Sequence, residues 1–167
     1  MVQIKTVKEQ SALRDQILKE RLDVLLPKVM KESKADAWVI ASKEYHEDLI
    51  FPLLVPASYI TARRITLLAF IKDHDTIRRF SLSLPDEDLD QYYESYWEYQ
   101  KETQSEALNR LFHEFDVQHI AWNTSEESAF ADGLSSGLYK QYQREIDPCY
   151  VERFTEDKPV SYTHLRA

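Results

Sequence analysis

Apolar side chains recur at helical intervals in the first part of the chain and predict a long amphipathic helix. Thr6 and Glu9 have the spacing of a capping box, which predicts where this helix begins. Pro27 falls inside the pattern, so we expect a kink, or a break and restart, near Leu26, and an end around residues 33–35. We interpret the apolar stripe as cover for a sheet, and a partner-binding helix is the alternative. The stripe comprises Leu13, Ile17, Leu18, Leu22, Leu25 and Val29.

Two continuous apolar runs, residues 37–41 and residues 65–71, have the length and composition of buried strands. A looser alternation in residues 76–82 predicts a third strand that is antiparallel and more exposed. Pro52 and Pro56 prevent a long regular helix between the first two strands. We therefore expect one or two helical turns and a loop in that connection.

Helical and strand patterns alternate through the second half of the chain. The elements predicted there are a helix at 104–115, a short strand at 118–122, a helix at about 135–145 and a last strand at 148–154. Residues 85–103 are acidic and aromatic, and their periodicity leaves both a helix and an irregular excursion open. Strands that alternate with helices predict an α/β fold with a mixed sheet.

The charge balance and chain length limit the classes of partner. The 167 residues are enough for one domain, and their net charge is -8 at pH 7. Nucleic acid is an unexpected partner, because phosphate binding needs a basic face. No apolar run approaches the roughly 20 residues that a membrane span needs. A membrane partner is therefore not expected either.

Cysteine and glycine usage narrows the chemistry further. The single cysteine, Cys149, fits a reducing compartment, and residues 1–20 lack the hydrophobic region of a signal peptide, so we expect a cytoplasmic protein. Cys149 has no basic neighbour in the sequence and is expected to be a buried, inert thiol. With only Gly133 and Gly137, the chain lacks the glycines that phosphate-cradling loops require.

Patterns typical of metal sites are incomplete in this chain. No two of its histidines have the i, i+4 spacing of a helical zinc site. Residues 86–90 imitate the start of a calcium loop, but Gln91 stands where glycine is needed and Trp97 where the closing glutamate is needed. We therefore predict no catalytic or metal-ligating residue and no cofactor for this chain. The histidines are His46, His74, His113, His119 and His164.

One polar cluster is the candidate site. It follows the first predicted strand directly, and α/β sheets commonly present binding groups at such a point. A pair of arginines before the second strand could bind its acids or an acidic partner group. The alternative is a solvated loop held by surface ion pairs. The candidate residues are Glu44, Tyr45, His46, Glu47 and Asp48, together with Arg63 and Arg64.

Residues 36–48, DAWVIASKEYHED, followed by residues 62–70, ARRITLLAF, resemble the N-terminal domain of creatinase/prolidase/aminopeptidase P metallopeptidases. The resemblance extends over about residues 8–158. Residues 21–27, 120–125, 130–135 and 150–154 are similar to further parts of that domain, in the same order.

This resemblance implies a three-layer α/β fold, a mixed sheet flanked by helices with a ribonuclease H-like motif. In the family such a domain precedes a pita-bread catalytic domain, in which two aspartates, a histidine and two glutamates hold two divalent metal ions. That catalytic domain is not in this sequence, so the chain by itself is not expected to be an enzyme. The resemblance implies a non-catalytic accessory domain that contributes to a homodimer and to the wall of the substrate channel. A peptide substrate would be met only through the missing domain.

Two further expectations concern the ends of the domain and its use. Residues 159–167 resemble the translation of a sequencing adapter, so we expect a domain at 1–158 and a parent protein truncated near Lys158. A free-standing interaction domain is the first alternative, and exposed aromatic residues in 92–99 would favour it. The second alternative is a small hydrolase that uses His46 with Glu47 or Asp48.

Overall fold

A six-stranded mixed β-sheet with helices on its faces forms the part of the chain that the computed structural model describes, residues 4–155. The strands are β1 (Ala37–Lys43), β2 (Ile65–Asp73), β3 (Thr76–Ser81), β4 (Glu94–Ser95), β5 (Ile120–Trp122) and β6 (Phe154–Thr155). The helices are α1 (Val7–Glu20), α2 (Leu26–Glu32), α3 (Phe51–Leu54), α4 (Gln104–Glu114), α5 (Ser136–Glu145) and α6 (Pro148–Val151). The predicted α/β class and mixed sheet are confirmed.

The sheet is organised around β1, with the strand order β4-β3-β2-β1-β5-β6. β1, β2 and β3 form an antiparallel meander, and β1 continues into β5 and β6 through parallel pairing. Val39 shows the central place of β1, since it lies opposite Ala69 on one side and Trp122 on the other. The two longest strands, β1 and β2, therefore pair directly in the middle of the sheet.

Strand side chains alternate between two cores. Val39 on β1 belongs to the core beneath α4 and α5, which also contains Phe112 and Tyr142. Trp38, its neighbour on β1, belongs to the other core beneath α1, α2 and α3. Since both faces are covered, the arrangement is compatible with a three-layer α/β fold.

The N-terminal helix follows its prediction at both ends. The Thr6 N–H donates to the Glu9 carboxylate at 2.7 Å, and the Glu9 N–H donates to the Thr6 hydroxyl at 3.3 Å, which completes the capping box. The expected break is a π-helical turn, Arg21–Leu25, between α1 and α2. Pro27 has no N–H to donate, so the backbone widens by one residue just before it.

The apolar stripe of this helix is buried only in part. Leu18 and Leu22 are buried, but Leu13 is 40% exposed, so its predicted place in the core is wrong. The first turns of α1 do not pack on the sheet, and Val7 is exposed as well. A periodic pattern predicts the helix, but it does not give the length of the surface that the helix covers.

In the second half the structure resolves one open segment and departs from prediction at the last strand. Residues 85–103 form a 3₁₀ turn, Leu89–Gln91, and the short strand β4 within otherwise irregular chain. The last strand is mostly wrong, because Pro148–Val151 is helix α6 and only Phe154–Thr155 extends the sheet. Pro148 occupies the first turn of α6, where a missing N–H is tolerated and its fixed φ favours the helix.

Some expectations fall outside the described residues. The proposed domain end at residue 158 and the adapter-like residues 159–167 lie beyond Thr155. Within residues 4–155, no helix has the length and apolar character needed to cross a lipid bilayer.

Candidate functional site

The predicted polar cluster begins with a tight turn that presents Tyr45 to solvent. The His46 N–H donates to the Lys43 carbonyl at 2.8 Å and closes the turn. Tyr45 has a φ of 64°, in the left-handed region that bulky residues rarely adopt, and it is 88% exposed. His46 is exposed beside it.

Two hydrogen bonds fasten this loop to the chain that enters β2. The Glu44 N–H donates to the Arg64 carbonyl at 2.9 Å. The Glu47 carboxylate accepts from the Ala62 N–H at 3.1 Å. One backbone–backbone bond and one bond from the backbone to a carboxylate therefore hold the two predicted segments side by side, without an ion pair between Glu47 and the arginines.

Arg63 faces a different partner from the one expected. Its guanidinium lies 3.0 Å from the carboxylate of Asp86 and 5.6 Å from the ring centroid of Tyr59. The Arg64 side chain is exposed, while its backbone has a φ of 54°. The structure thus brings the seven predicted residues into one region without making them converge on a common point.

Asp48 is the member of the cluster that turns inward, and it is 1% exposed. Its carboxylate accepts from the Ile50 N–H at 2.8 Å, and its own N–H donates to the Ser42 hydroxyl at 3.2 Å. The Asp48 carbonyl also accepts from the Phe51 N–H at 3.0 Å. Asp48 therefore shapes the chain between the end of β1 and the start of α3.

Asn123, directly after β5, connects Asp48 with β1. Its side-chain NH₂ donates to the Asp48 carboxylate at 2.8 Å, and its side-chain oxygen accepts from the Trp38 indole N–H at 2.8 Å. All three side chains are buried. Such a fully hydrogen-bonded buried chain is stabilising, because each polar group has exchanged water for a fixed partner.

Gly133 completes this junction from the segment before α5. A Cβ placed on Gly133 would lie 2.2 Å from a carboxylate oxygen of Asp48, which is less than any real contact. The neighbouring Leu134 N–H donates to the Asn123 carbonyl at 2.9 Å. Only a residue without a side chain fits this approach.

These residues occupy the point where an α/β sheet most often binds a ligand. β1 and β5 are parallel neighbours whose connections leave toward opposite edges of the sheet, to β2 and to β6. In open α/β sheets, ligands bind outside the carboxyl ends of such a strand pair. Here Asp48, Asn123 and Gly133 fill that crevice with side-chain and backbone contacts, so the junction is structural.

Three apolar side chains are exposed among the charged residues of the predicted loops. Tyr45 is 88%, Leu49 56% and Ile60 84% exposed. We call these three residues the loop patch. They lie on the two loops that the Glu44 and Glu47 hydrogen bonds join. Exposed apolar residues on a rigid support are typical of an interaction surface.

Other sequence expectations have mixed outcomes. Cys149 is exposed, so its predicted burial is wrong, because it lies on the outer side of the short helix α6.

The carboxylate of Asp86 accepts from the N–H groups of Asp88 and Leu89, which makes the calcium-like segment a hydrogen-bonded turn. Among residues 4–155, no group of three or more His, Cys, Asp or Glu side chains could hold a metal ion.

Sequence reasoning missed the buried partners of Asp48. It included Asn123 and Gly133 in residues 120–125 and 130–135, which carry part of the family resemblance, but it linked neither of them to Asp48. Because 75 residues separate Asp48 from Asn123, no local pattern connects them. The one available signal was Gly133 itself, one of only two glycines in the chain.

Comparison of the chain with models of protein families, with curated protein sequences and with solved structures finds no match in any of the three.

Proposed function

We propose that this chain is a non-catalytic accessory domain of a metallopeptidase of the Xaa-Pro aminopeptidase/prolidase type. In this role it contributes to a homodimer of the parent protein and to the wall of the substrate channel. One observation carries the proposal: a tyrosine held in a left-handed turn at the rim of the sheet, with its ring exposed to solvent. The two metal ions and the peptide substrate belong to the catalytic domain of the parent protein.

The strand order supports the fold part of the proposal. With the two-residue β4 set aside, the order is β3-β2-β1-β5-β6, with an antiparallel β2 and parallel β1, β5 and β6. An antiparallel meander that continues through its first strand into two parallel strands is the arrangement of a ribonuclease H-like motif. The resemblance of residues 36–48 and 62–70 implies the same motif.

The turn at Tyr45 supports the interface part. A left-handed conformation costs a non-glycine residue roughly 1–2 kcal/mol, and such outliers cluster at binding and switch regions. Exposing the phenol ring gains nothing in the isolated chain. Contact with a second protein surface would bury the ring together with Leu49 and Ile60 and would offset that cost.

The acids of the cluster support a structural role over a catalytic one. Asp48 is directed into the junction with Asn123, and Glu47 accepts from the Ala62 backbone. His46 is exposed to solvent. The hydrolase alternative with His46, Glu47 and Asp48 therefore gains no support from the geometry.

Residues 92–99 expose one aromatic ring, Tyr99, which is less than the exposed aromatic stretch that would favour the interaction-domain alternative. Tyr93 is buried, and Tyr96 and Trp97 are half-buried. Tyr93 donates to the Leu54 carbonyl at 2.5 Å, and Tyr96 donates to the Glu114 carboxylate at 2.6 Å. Most of these rings thus serve the fold, and only Tyr99 is exposed among the five.

Light scattering on the purified chain tests the interface. The expected result is reversible self-association that the double substitution of Tyr45→Ser and Leu49→Ser weakens about tenfold or more. Val24→Ser removes another exposed apolar side chain, 66% exposed on the π-helical turn, and should leave association unchanged. Strict monomers up to about 1 mM, or equal loss with Val24→Ser, would overturn the interface part.

The parent enzyme is tested separately. The uninterrupted reading frame from the source DNA should encode a downstream domain with two aspartates, a histidine and two glutamates as metal ligands. A stop codon shortly after Lys158 would refute the accessory role, whatever the outcome of the light scattering.

A further inference from the structure

A groove lies between the aromatic loop that precedes α4 and the helices α4 and α5, and its cavity volume is about 630 Å³. This volume is in the range that small ligands and anchoring side chains occupy, roughly 300–1,000 Å³. We call it the acidic groove. Its lining includes Trp97, Tyr99, Glu102, Glu106, Tyr142 and Glu145. It shares none of these residues with the loop patch.

Two aromatic rings form a corner on one side of the groove. The ring centroids of Trp97 and Tyr99 are 6.1 Å apart, and their planes meet at 66°. The Trp97 indole N–H donates to the Glu102 carbonyl at 2.9 Å, which fixes its ring. Tyr99 is 46% exposed. Faces of aromatic rings carry negative potential and attract cations.

Carboxylates of helices α4 and α5 lie in the same groove. One oxygen of Glu145 accepts from the Ser105 hydroxyl at 2.6 Å and from Gln141 at 3.2 Å. Likewise, one oxygen of Glu106 accepts from the Thr103 N–H at 2.7 Å. In both residues the recorded bonds use a single oxygen and leave the second one for a ligand.

The positive charges near the groove already have partners. Arg110 binds the Glu102 carboxylate at 2.5 Å and lies over the ring of Tyr96. In the described part of the chain, no lysine or arginine lines the groove. The first turn of α4 also reaches it, but the capping box of Thr103 and Glu106 already occupies its N–H groups. The groove therefore attracts cations.

Tyr142 adds an independent sign of a missing partner. Its side chain is 1% exposed and lines the groove, yet its hydroxyl has no hydrogen-bond partner. Burial raises the pKa of Tyr142, and the nearby charge of Glu145 raises it further, so the hydroxyl stays protonated. A buried hydroxyl without a partner is destabilising, and a ligand that hydrogen-bonds to it would remove that cost.

We propose that the acidic groove binds an arginine side chain presented by a partner protein. The guanidinium packs against the corner of Trp97 and Tyr99, Glu145 balances its charge, and the Tyr142 oxygen accepts one of its N–H groups. Arginine fits better than lysine because a planar guanidinium stacks on aromatic faces and presents a fork of donors to a carboxylate. The net charge of -8 favours the approach of a basic partner.

The test uses the full chain and a blocked tripeptide, acetyl-Gly-Arg-Gly-amide, followed through the NMR signal of the Trp97 indole N–H. We expect a saturable shift whose affinity falls with added salt. Citrulline in place of arginine keeps the shape and removes the charge, so it should bind at least about tenfold more weakly. The lysine peptide should bind with intermediate affinity.

Three variants locate the site. Glu145→Gln should lower the affinity for the arginine peptide about fivefold. The neutral amide still accepts from the Ser105 hydroxyl but no longer balances the charge of the guanidinium. Tyr142→Phe should lower the affinity for the peptide without lowering the thermal stability of the protein, since it removes only an unpartnered hydroxyl. Glu87→Gln changes the same charge on an exposed side chain outside the groove and should leave the affinity unchanged.

Several outcomes would overturn the proposal. They are the absence of a saturable shift, equal binding of the citrulline peptide, or equal weakening by Glu87→Gln and Glu145→Gln. The last result would mean general attraction to an acidic protein. None of them bears on the loop patch, which the self-association experiment tests with other residues.

Discussion

The side-chain amide of Asn123 donates to the buried carboxylate of Asp48 at 2.8 Å, although 75 residues separate the two. Through this bond the loop after β1 and the turn after β5 become one rigid unit. Trp38 joins it from within β1, at 2.8 Å from the Asn123 oxygen. The loop patch is therefore supported from beneath by a buried polar network.

Gly133→Ala should destabilise the protein by about 2–3 kcal/mol, because its Cβ would lie 2.2 Å from the Asp48 carboxylate. Gly137→Ala is the matched control. Its Cβ would meet only the Ser135 hydroxyl at 4.0 Å, and alanine favours the first turns of α5, so the stability should rise by up to about 1 kcal/mol. Urea unfolding measures both. If Gly133→Ala and Gly137→Ala had equal effects on stability, the close approach at Gly133 would be relieved by movement of the loop.

The network of Trp38, Asn123 and Asp48 should show coupling in a double-mutant cycle. Asn123→Ala removes the acceptor of the buried Trp38 N–H and should cost about 2–3 kcal/mol. Trp38→Phe removes that donor. If the two groups interact as described, the double variant should lose about 1 kcal/mol less than the sum of the single variants. Simple additivity in chemical denaturation would contradict the bond.

Tyr45→Asn should stabilise the isolated chain by roughly 0.5–1 kcal/mol, because asparagine tolerates the left-handed conformation that Tyr45 adopts at φ 64°. The same variant should associate more weakly, since it removes the exposed ring. Thermal unfolding and light scattering on one sample show whether the two properties change in opposite directions. A loss of stability would mean that the Tyr45 ring makes contacts that its exposure does not reveal.

The ion pair of Glu102 and Arg110 should make the free energy of unfolding depend on pH in the acidic range. The hydrogen bond from Arg110 lowers the pKa of Glu102 from its ordinary 4.5. A lowered pKa means that this contribution is fully present above the ordinary value and disappears as the pH falls through the folded-state pKa. Glu102→Gln should therefore cost about 1 kcal/mol above about pH 5 and progressively less in acid.

Glu87→Gln serves as the control for that measurement, because Glu87 is exposed. It should lower the unfolding free energy by less than about 0.5 kcal/mol at any pH. Parallel pH profiles of the native protein and Glu102→Gln would show that Arg110 does not stabilise the Glu102 carboxylate in the folded state.

The sequence predicted the parts of the fold that local patterns determine. The runs at β1 and β2 are long and apolar, and the Thr6 capping box is a short-range motif, so both were found. Leu13 was misplaced because periodicity reports which face of a helix is apolar without reporting how far its cover extends. The last strand was misassigned because Pro148 starts a helix of four residues, which is too short to show a helical period in the sequence.

The candidate site was predicted in position but not in its internal roles. The sequence placed residues 44–48 after a buried strand, and the structure agrees. It could not show that Asp48 turns inward while Tyr45 turns outward, since adjacent polar residues look alike without their partners. Those partners, Asn123 and Gly133, come from a distant part of the chain and are fixed by tertiary packing.

The outer edge of the sheet has a consequence for how this protein can meet another. β4 pairs only two of its residues with β3, and the adjoining stretch of β3 carries Arg78 and Arg79. A strand from another molecule would meet only a short edge with charged side chains there. Such an edge disfavours repeated strand addition. Contacts with another protein on this side are therefore expected through side chains on loops and helices and not through added strands.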